Sequence, residues 1–277
     1  MDKVKILDIE NDGINLSVDG DFLYMRCKRS MYKYDLTNMQ MAAENIIFKK
    51  DGRARGFSIC DDFIFLHDFL DLYILDKNDL TVKESFRLGE NLSSDVCGLI
   101  WFDFPKAYLN IRNGWIYILD IQTKEVKKVK VNDSGSWGGF AMAGSRLFYP
   151  TVKGELLEID RDSLDVIRKV NLCKKNIYSV VHEDGLLYMT SQDQTIKIVD
   201  AASLETTCVI KKAVAGMVGI IGIHNDNLVI AGNRTPFSFW DKKTLQLRKN
   251  IDFPRSAILH KGVLFGSDHQ SIYKMIL

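Results

Sequence analysis

The stretches YILDKNDLTV (73–82), YILDIQTKEV (117–126), LEIDRDSLDV (157–166), KIVDAASLET (197–206) and SFWDKKTLQL (238–247) read alike. Each is an apolar strand that ends in Asp, followed by a short polar turn and the start of another strand. YKYD, ending at Asp35, opens the series. The successive aspartates Asp35, Asp76, Asp120, Asp160, Asp200 and Asp241 lie 41, 44, 40, 40 and 41 residues apart. A period of about 40 made only of strand signals marks a β-propeller, in which each repeat is one four-stranded sheet. The recurring Asp reads as a turn residue whose carboxylate accepts backbone N–H groups.

Working outward from 73–82, one whole unit can be spelled from 55 to 88. RGFSIC is a first strand, the Asp61-Asp62 turn follows, and FIFLH is the second strand. LYILD is the third, KNDL a turn, and TVKESFRL the fourth. The same order recurs over 14–49, 97–131, 138–172, 178–211 and 218–253. The last unit supplies three strands, SAILH, VLFGS and SIYKMIL, and the chain ends at Leu277. VKILDIE (4–10) belongs to no strand of the first unit. Placed beside SIYKMIL, it completes a seventh blade and removes two unpaired sheet edges. The expected fold is therefore all-β: a seven-bladed β-propeller with four antiparallel strands per blade, in one domain over 1–277, closed by the N-terminal strand joining the C-terminal blade.

The repeat resembles the quinoprotein-like and YVTN-type bacterial propellers and, more distantly, the WD-type (WD40-like) repeat. The WD-type Gly-His and Trp-Asp pairs do not recur, Trp240-Asp241 being a single instance. Nor does the tryptophan docking signature of quinoprotein enzymes. The resemblance implies a fold and no particular activity.

Composition narrows the functional classes. Lys and Arg total 37 against 36 Asp and Glu, a net charge of +1, which argues against a nucleic-acid partner. MDKVKILDIENDG at the start has no long apolar stretch, so neither a secretory signal nor a membrane partner is expected. Cys27, Cys60, Cys97, Cys173 and Cys208 are widely spaced with no CxxC pair, which predicts reduced thiols in a cytoplasmic protein and no zinc site. SGSWGG (134–139) lacks the lysine and the strand-to-helix setting of a phosphate loop, so its glycines read as tight turns. No G-x-S-x-G elbow is present. KEVKKVKV (124–131) alternates and reads as an outer strand guarded by lysines.

In a propeller, loops leading into first strands and loops between second and third strands gather at one mouth of the channel. By register, that mouth is expected to hold Arg55, Arg255, Arg112, Arg234 and Lys153, with Trp137 and Tyr178 beside them and His67 and His269 on the rim. Arginine forks suit carboxylate or phosphate, and the aromatic rings suit an apolar portion of a ligand. His182, His224 and His260 share a matched position at the opposite face, which repeat homology explains without a metal. The leading expectation is a cytoplasmic binding or scaffold propeller that needs no cofactor and takes a protein, a peptide or a small anionic ligand. The rival is a lyase, cyclase or hydrolase acting on a carboxylate- or phosphate-bearing substrate at the same mouth. There Arg55 and Arg255 would hold the anion, and His67 or His269 would move a proton.

Overall fold

The computed structural model describes residues 2–9, 15–48, 56–67, 71–87, 96–137, 139–213, 216, 218–232, 236–254, 256–268 and 270–277. Seven antiparallel sheets of four strands form the blades of a β-propeller. Blade one is Asn15–Asp19, Phe22–Cys27, Ser30–Asp35 and Gln40–Ile46. Blade two is Gly56–Cys60, Phe63–His67, Asp71–Asp76 and Val82–Arg87. Blade three is Val96–Asp103, Lys106–Ile111, Trp115–Asp120 and Val126–Lys130. Blade four is Ala141–Ala143, Arg146–Pro150, Glu155–Asp160 and Val166–Asn171. Blade five is Ile177–Glu183, Leu186–Ser191, Ile196–Asp200 and Thr206–Ile210. Blade six is Val218–His224, Asn227–Gly232, Phe237–Asp241 and Leu247–Ile251. Blade seven is Ser256–His260, Val263–Ser267 and Ser271–Ile276, completed by Val4–Asp8.

That completion is the closure expected from the spare N-terminal strand. Val4 pairs with Lys274 and Asp8 with Ser271, antiparallel, and the Ile9 N–H donates to the Gln270 carbonyl at 2.8 Å. Ile6, Leu7 and Ile9 then pack with Leu23, Met25 and Ile272. The N-terminal strand thus both covers the edge of the last sheet and contributes apolar surface to the core.

Contacts divide the chain into two compact units. One comprises Met1–Leu109, Tyr117–Lys127 and Ser256–Leu277, and it holds blades one, two and seven. The other comprises Asn110–Ile116 and Lys128–Arg255, with blades four, five and six. Within each unit the core lies between blades. Tyr24 and Met31 meet Ile64, Leu66 and Leu75 in the first, and Tyr188 and Ile198 meet Ile220, Leu228 and Ile230 in the second. Second and third strands are covered on both faces, so they read as apolar runs such as FIFLH, whereas outer strands alternate between exposed and half-buried positions.

The recurring aspartates do the work expected of them. The carboxylate of Asp160 accepts the N–H groups of Asp162 and Ser163 at 3.0 and 2.8 Å. That of Asp200 accepts from Ala202 and Ser203, that of Asp241 from Lys243 and Thr244, and that of Asp120 from Gln122 and Thr123. Asp35 and Asp76 each accept one, from Thr37 and Asn78. The fourth residue after each Asp returns its N–H to the Asp carbonyl. In four turns that residue is leucine with left-handed backbone: Leu80 (φ 63°), Leu164 (65°), Leu204 (60°) and Leu245 (54°). Left-handed backbone costs a non-glycine residue roughly 1–2 kcal/mol. These leucines are at most 5% exposed, and burying one stabilises by about 1.5–3 kcal/mol, so packing wins over strain.

One boundary differs from the sequence reading. Blade four was expected to start at Gly138, but its first strand is Ala141–Ala143. Gly139 has φ 76°, and its carbonyl accepts the N–H of Val180 at 2.7 Å. The segment therefore bonds to the neighbouring blade before it joins its own.

The leucine turns make a direct prediction. In urea unfolding, Leu164→Ala should lose about 2–5 kcal/mol of stability. Leu164→Gly should lose less, because glycine relieves roughly 1 kcal/mol of left-handed strain. A glycine variant less stable than the alanine variant would contradict this account of the turn.

Candidate functional site

The most fully built loop in the second unit is the one leading into blade four. Asn132 organises it: its Oδ1 accepts the N–H of Ser134 at 2.7 Å and of Gly135 at 2.6 Å. Gly135 has φ 69°, and a Cβ there would stand 2.6 Å from the Asn113 nitrogen. Its carbonyl accepts the N–H of Val152 at 3.1 Å. The next residue, Ser136, is fully buried, and its carbonyl accepts Asn110 Nδ2 at 3.4 Å. Asn110 is fully buried as well, and its Oδ1 accepts the Tyr149 hydroxyl at 3.0 Å. From this fixed base Trp137 emerges 52% exposed.

Tyr178 lies close to the same loop. A Cβ on Gly139 would fall 2.5 Å from the Tyr178 carbonyl oxygen and from Ser179 Cα. Only glycine allows that approach, and it draws the segment carrying Trp137 against the segment carrying Tyr178. Tyr178 is half-buried, and burial raises its phenol pKa. Lys153 is exposed beside the loop and lines a cavity of about 240 Å³ with Asn132, Ser134, Glu155 and Lys169. Lys169 pairs with Glu155 at 2.7 Å, and Lys130 pairs with Asp133 at 2.7 Å.

Other residues expected at the mouth are placed differently. Arg55, Arg234, Arg255 and His269 lie outside the described residues. Arg112 opens a 3-10 turn, Arg112–Gly114, the single helical segment among the described residues. His67 was expected on an exposed loop, but it ends the second strand of blade two and is 4% exposed. It pairs with Gly56, whose missing side chain leaves room for the ring at 3.5 Å. His67 is the last residue of a strand covered on both faces and is buried with the rest of FIFLH, which a reading of it as a loop residue misses.

His182, His224 and His260, expected at the turn after the first strand, are the last or next-to-last residues of the first strands themselves. Among the described residues, no group of three His, Cys, Asp or Glu comes together to hold a metal. Cys27, Cys60, Cys173 and Cys208 are free thiols, and burial pushes that of Cys60 up to about 11. The polar pair Asn110 and Tyr149 was not foreseen. Its signal was available: each sits at the end of an otherwise apolar strand, in AYLN and LFY, where a buried polar group must find a partner.

No protein-family model matches this chain, and no curated protein matches it in sequence. Solved structures match it in fold. A computationally designed protein, Ika8, superposes with a TM-score of 0.73 at 11% identity, covering 99% of both chains. A chain from a crystal structure of the mitotic checkpoint complex superposes with a TM-score of 0.80 at 13% identity, covering 99% of this chain and 92% of that one.

The loop geometry carries a stability prediction. Asn110→Ala removes the acceptor of Tyr149 and the donor to Ser136 inside the core, so it should cost roughly 1–3 kcal/mol in urea unfolding. Unchanged stability would show that the loop is held without Asn110. Taken together, the chain is similar in fold to these two solved structures, and that fold is a seven-bladed β-propeller.

Proposed function

We propose that this chain is a single-domain, non-catalytic binding propeller that offers the Trp137 loop to a protein or peptide partner. The observation that carries the reading is an exposed tryptophan on a loop anchored by buried Asn110 and by Asn132. A rigid aromatic side chain loses little conformational freedom on binding, and tryptophans are enriched among residues that dominate interface energies. Tyr178 and Lys153 flank it and would add an apolar contact and a cation. Arg55, Arg112, Arg234 and Arg255 are the candidates, by sequence register, for binding acidic groups of the partner or a small anionic ligand. Burial of His67 weighs against the acid–base chemistry that the enzyme reading requires of it. The free thiols fit a reducing, cytoplasmic setting.

Photocrosslinking tests the reading. p-Benzoylphenylalanine replaces Trp137 in one variant and Ile167, exposed on the outer strand of blade four, in another. In cells, the position-137 variant should give discrete protein adducts that the position-167 variant lacks. Adducts from position 167 alone would contradict the proposal. So would loss of metabolite-induced thermal shifts in Arg55→Ala with Arg255→Ala while the position-137 variant yields no adduct, since the ligand would then be a small anion.

A further inference from the structure

The repeats provide an internal comparison. In blades one, two and four, side chains two residues before the recurring Asp, or across from that position on the outer strand, reach the Asp turn of the following blade or flank a group that does. In blade four these are Glu158 and Arg168, joined by Arg146, which pairs with Asp160. Glu158 is 3% exposed and binds Arg168 at 2.5 Å and Arg146 at 3.3 Å. The two guanidinium groups continue to the next turn: Arg146 donates to the Ala201 carbonyl at 3.1 Å, and Arg168 to the Ala202 carbonyl at 2.7 Å. Blade one solves the same problem with Lys33, whose ammonium donates to the Lys77 and Asn78 carbonyls, both at 3.2 Å. In blade two, Glu84 receives Lys124 from the next turn at 3.1 Å. In blade six, Lys249 lies 4.4 Å over the ring of Phe239.

Blade five breaks the pattern. Its residues at the three positions are Leu186, Ile198 and Cys208. None of the three is charged, and a cavity of about 600 Å³ remains, lined by them with Tyr188, Asp184, Lys242 and Lys243. The carbonyls of Lys242 and Lys243 match those of Ala201 and Ala202, yet among the described residues no side chain donates to them. At its edge Lys242 is held by Glu183 at 2.5 Å, Asp184 at 3.3 Å and Asp226 at 3.5 Å, and of these three carboxylates Asp184 lines the cavity.

We propose that this groove between blades five and six is a docking site for an arginine side chain of a partner peptide. The aliphatic stem would lie on Leu186, Ile198 and Cys208. The guanidinium would take the Lys242 and Lys243 carbonyls, as Arg146 and Arg168 take theirs one blade earlier, with the exposed carboxylate of Asp184 at the edge of the cavity. The site is at the opposite strand ends from Trp137 and stands independently of the function proposed for that loop.

Cys208 makes the site testable. Alkylation of Cys208 in the full chain by iodoacetamide is followed by peptide mass spectrometry, with acetyl-Ala-Arg-Ala-amide as the probe. The tripeptide should slow alkylation roughly tenfold at about ten times its dissociation constant. The same tripeptide with citrulline, neutral and of equal shape, or with norleucine should not. Equal protection by citrulline or norleucine would reduce the groove to an apolar pocket, and no protection by any peptide would overturn the site. Protection by n-butylguanidinium equal to that by the arginine peptide would assign the groove to a free small cation and overturn the peptide assignment. Separately, Cys208→Arg should place a guanidinium over the Lys242 and Lys243 carbonyls at the position that Arg168 holds in blade four. It should keep the melting temperature and abolish polarisation of a peptide carrying a neutral dye, and retained binding in a folded variant would contradict the proposal.

Discussion

Six of the seven blades depend on one bond, a carboxylate that accepts backbone N–H groups just after the third strand. The Asp35, Asp76, Asp120, Asp160, Asp200 and Asp241 turns share this bond, and in each the carboxyl group is held below its ordinary pKa. Hydrogen bonds in the turn are the leading cause in all six. For Asp241, its partner Arg248 adds to the backbone donors, and for Asp35 the Thr37 hydroxyl comes first. The turn matters beyond its own blade because its carbonyls face the preceding one. Lys77 and Asn78, or Ala201 and Ala202, serve as acceptors for cations next door. A tightly fixed turn is thus both the end of one hairpin and the docking edge for a neighbour.

This explains why the architecture could be read so far from the chain alone. A local bond that needs Asp at one position, with a leucine four residues later in four of the six turns, leaves a periodic trace. Six blades and their strand order follow from that trace, and the seventh, closed by residues 4–8, follows from a final unit of three strands and the spare strand VKILDIE. What stayed hidden depends on contacts distant in sequence. Nothing local in DSLD shows that Leu164 has left-handed backbone, because its strain is offset by burial in the core. Gly138 looked like a strand start because the tie from Gly139 to Val180 crosses between blades. His67 looked like a loop residue because only the register with Gly56 shows it turned inward.

The candidate sites divide along the same line. Trp137 was visible as an aromatic residue in a glycine-rich loop, but its rigid support from Asn110, Tyr149 and Asn132 was not. The groove at Leu186, Ile198 and Cys208 has no signature of its own. It becomes meaningful only when the register aligns it with Arg146, Glu158 and Arg168, since a departure from a repeat can be recognised only after the repeat is known in three dimensions. Repeat proteins thus supply their own controls, each blade showing what the others do with an equivalent position.

The most direct test of the central role of the Asp turn is the pH dependence of unfolding in Asp160→Asn beside the wild type and Asp162→Asn. Asparagine keeps an acceptor for the backbone N–H groups but cannot titrate. A carboxylate whose folded pKa is lowered contributes stability that is complete above its unfolded value, near 3.8 for Asp160, and is lost as pH falls through the lower folded value. Urea unfolding from about pH 6 to pH 2 should therefore show Asp160→Asn less stable than wild type at the upper end, with the two converging in acid. Asp162→Asn, which alters a carboxylate beside Arg161 in the same turn, should keep the acid limb of the wild type. An acid limb in Asp160→Asn as steep as that of the wild type would contradict the role assigned to the turn carboxylate.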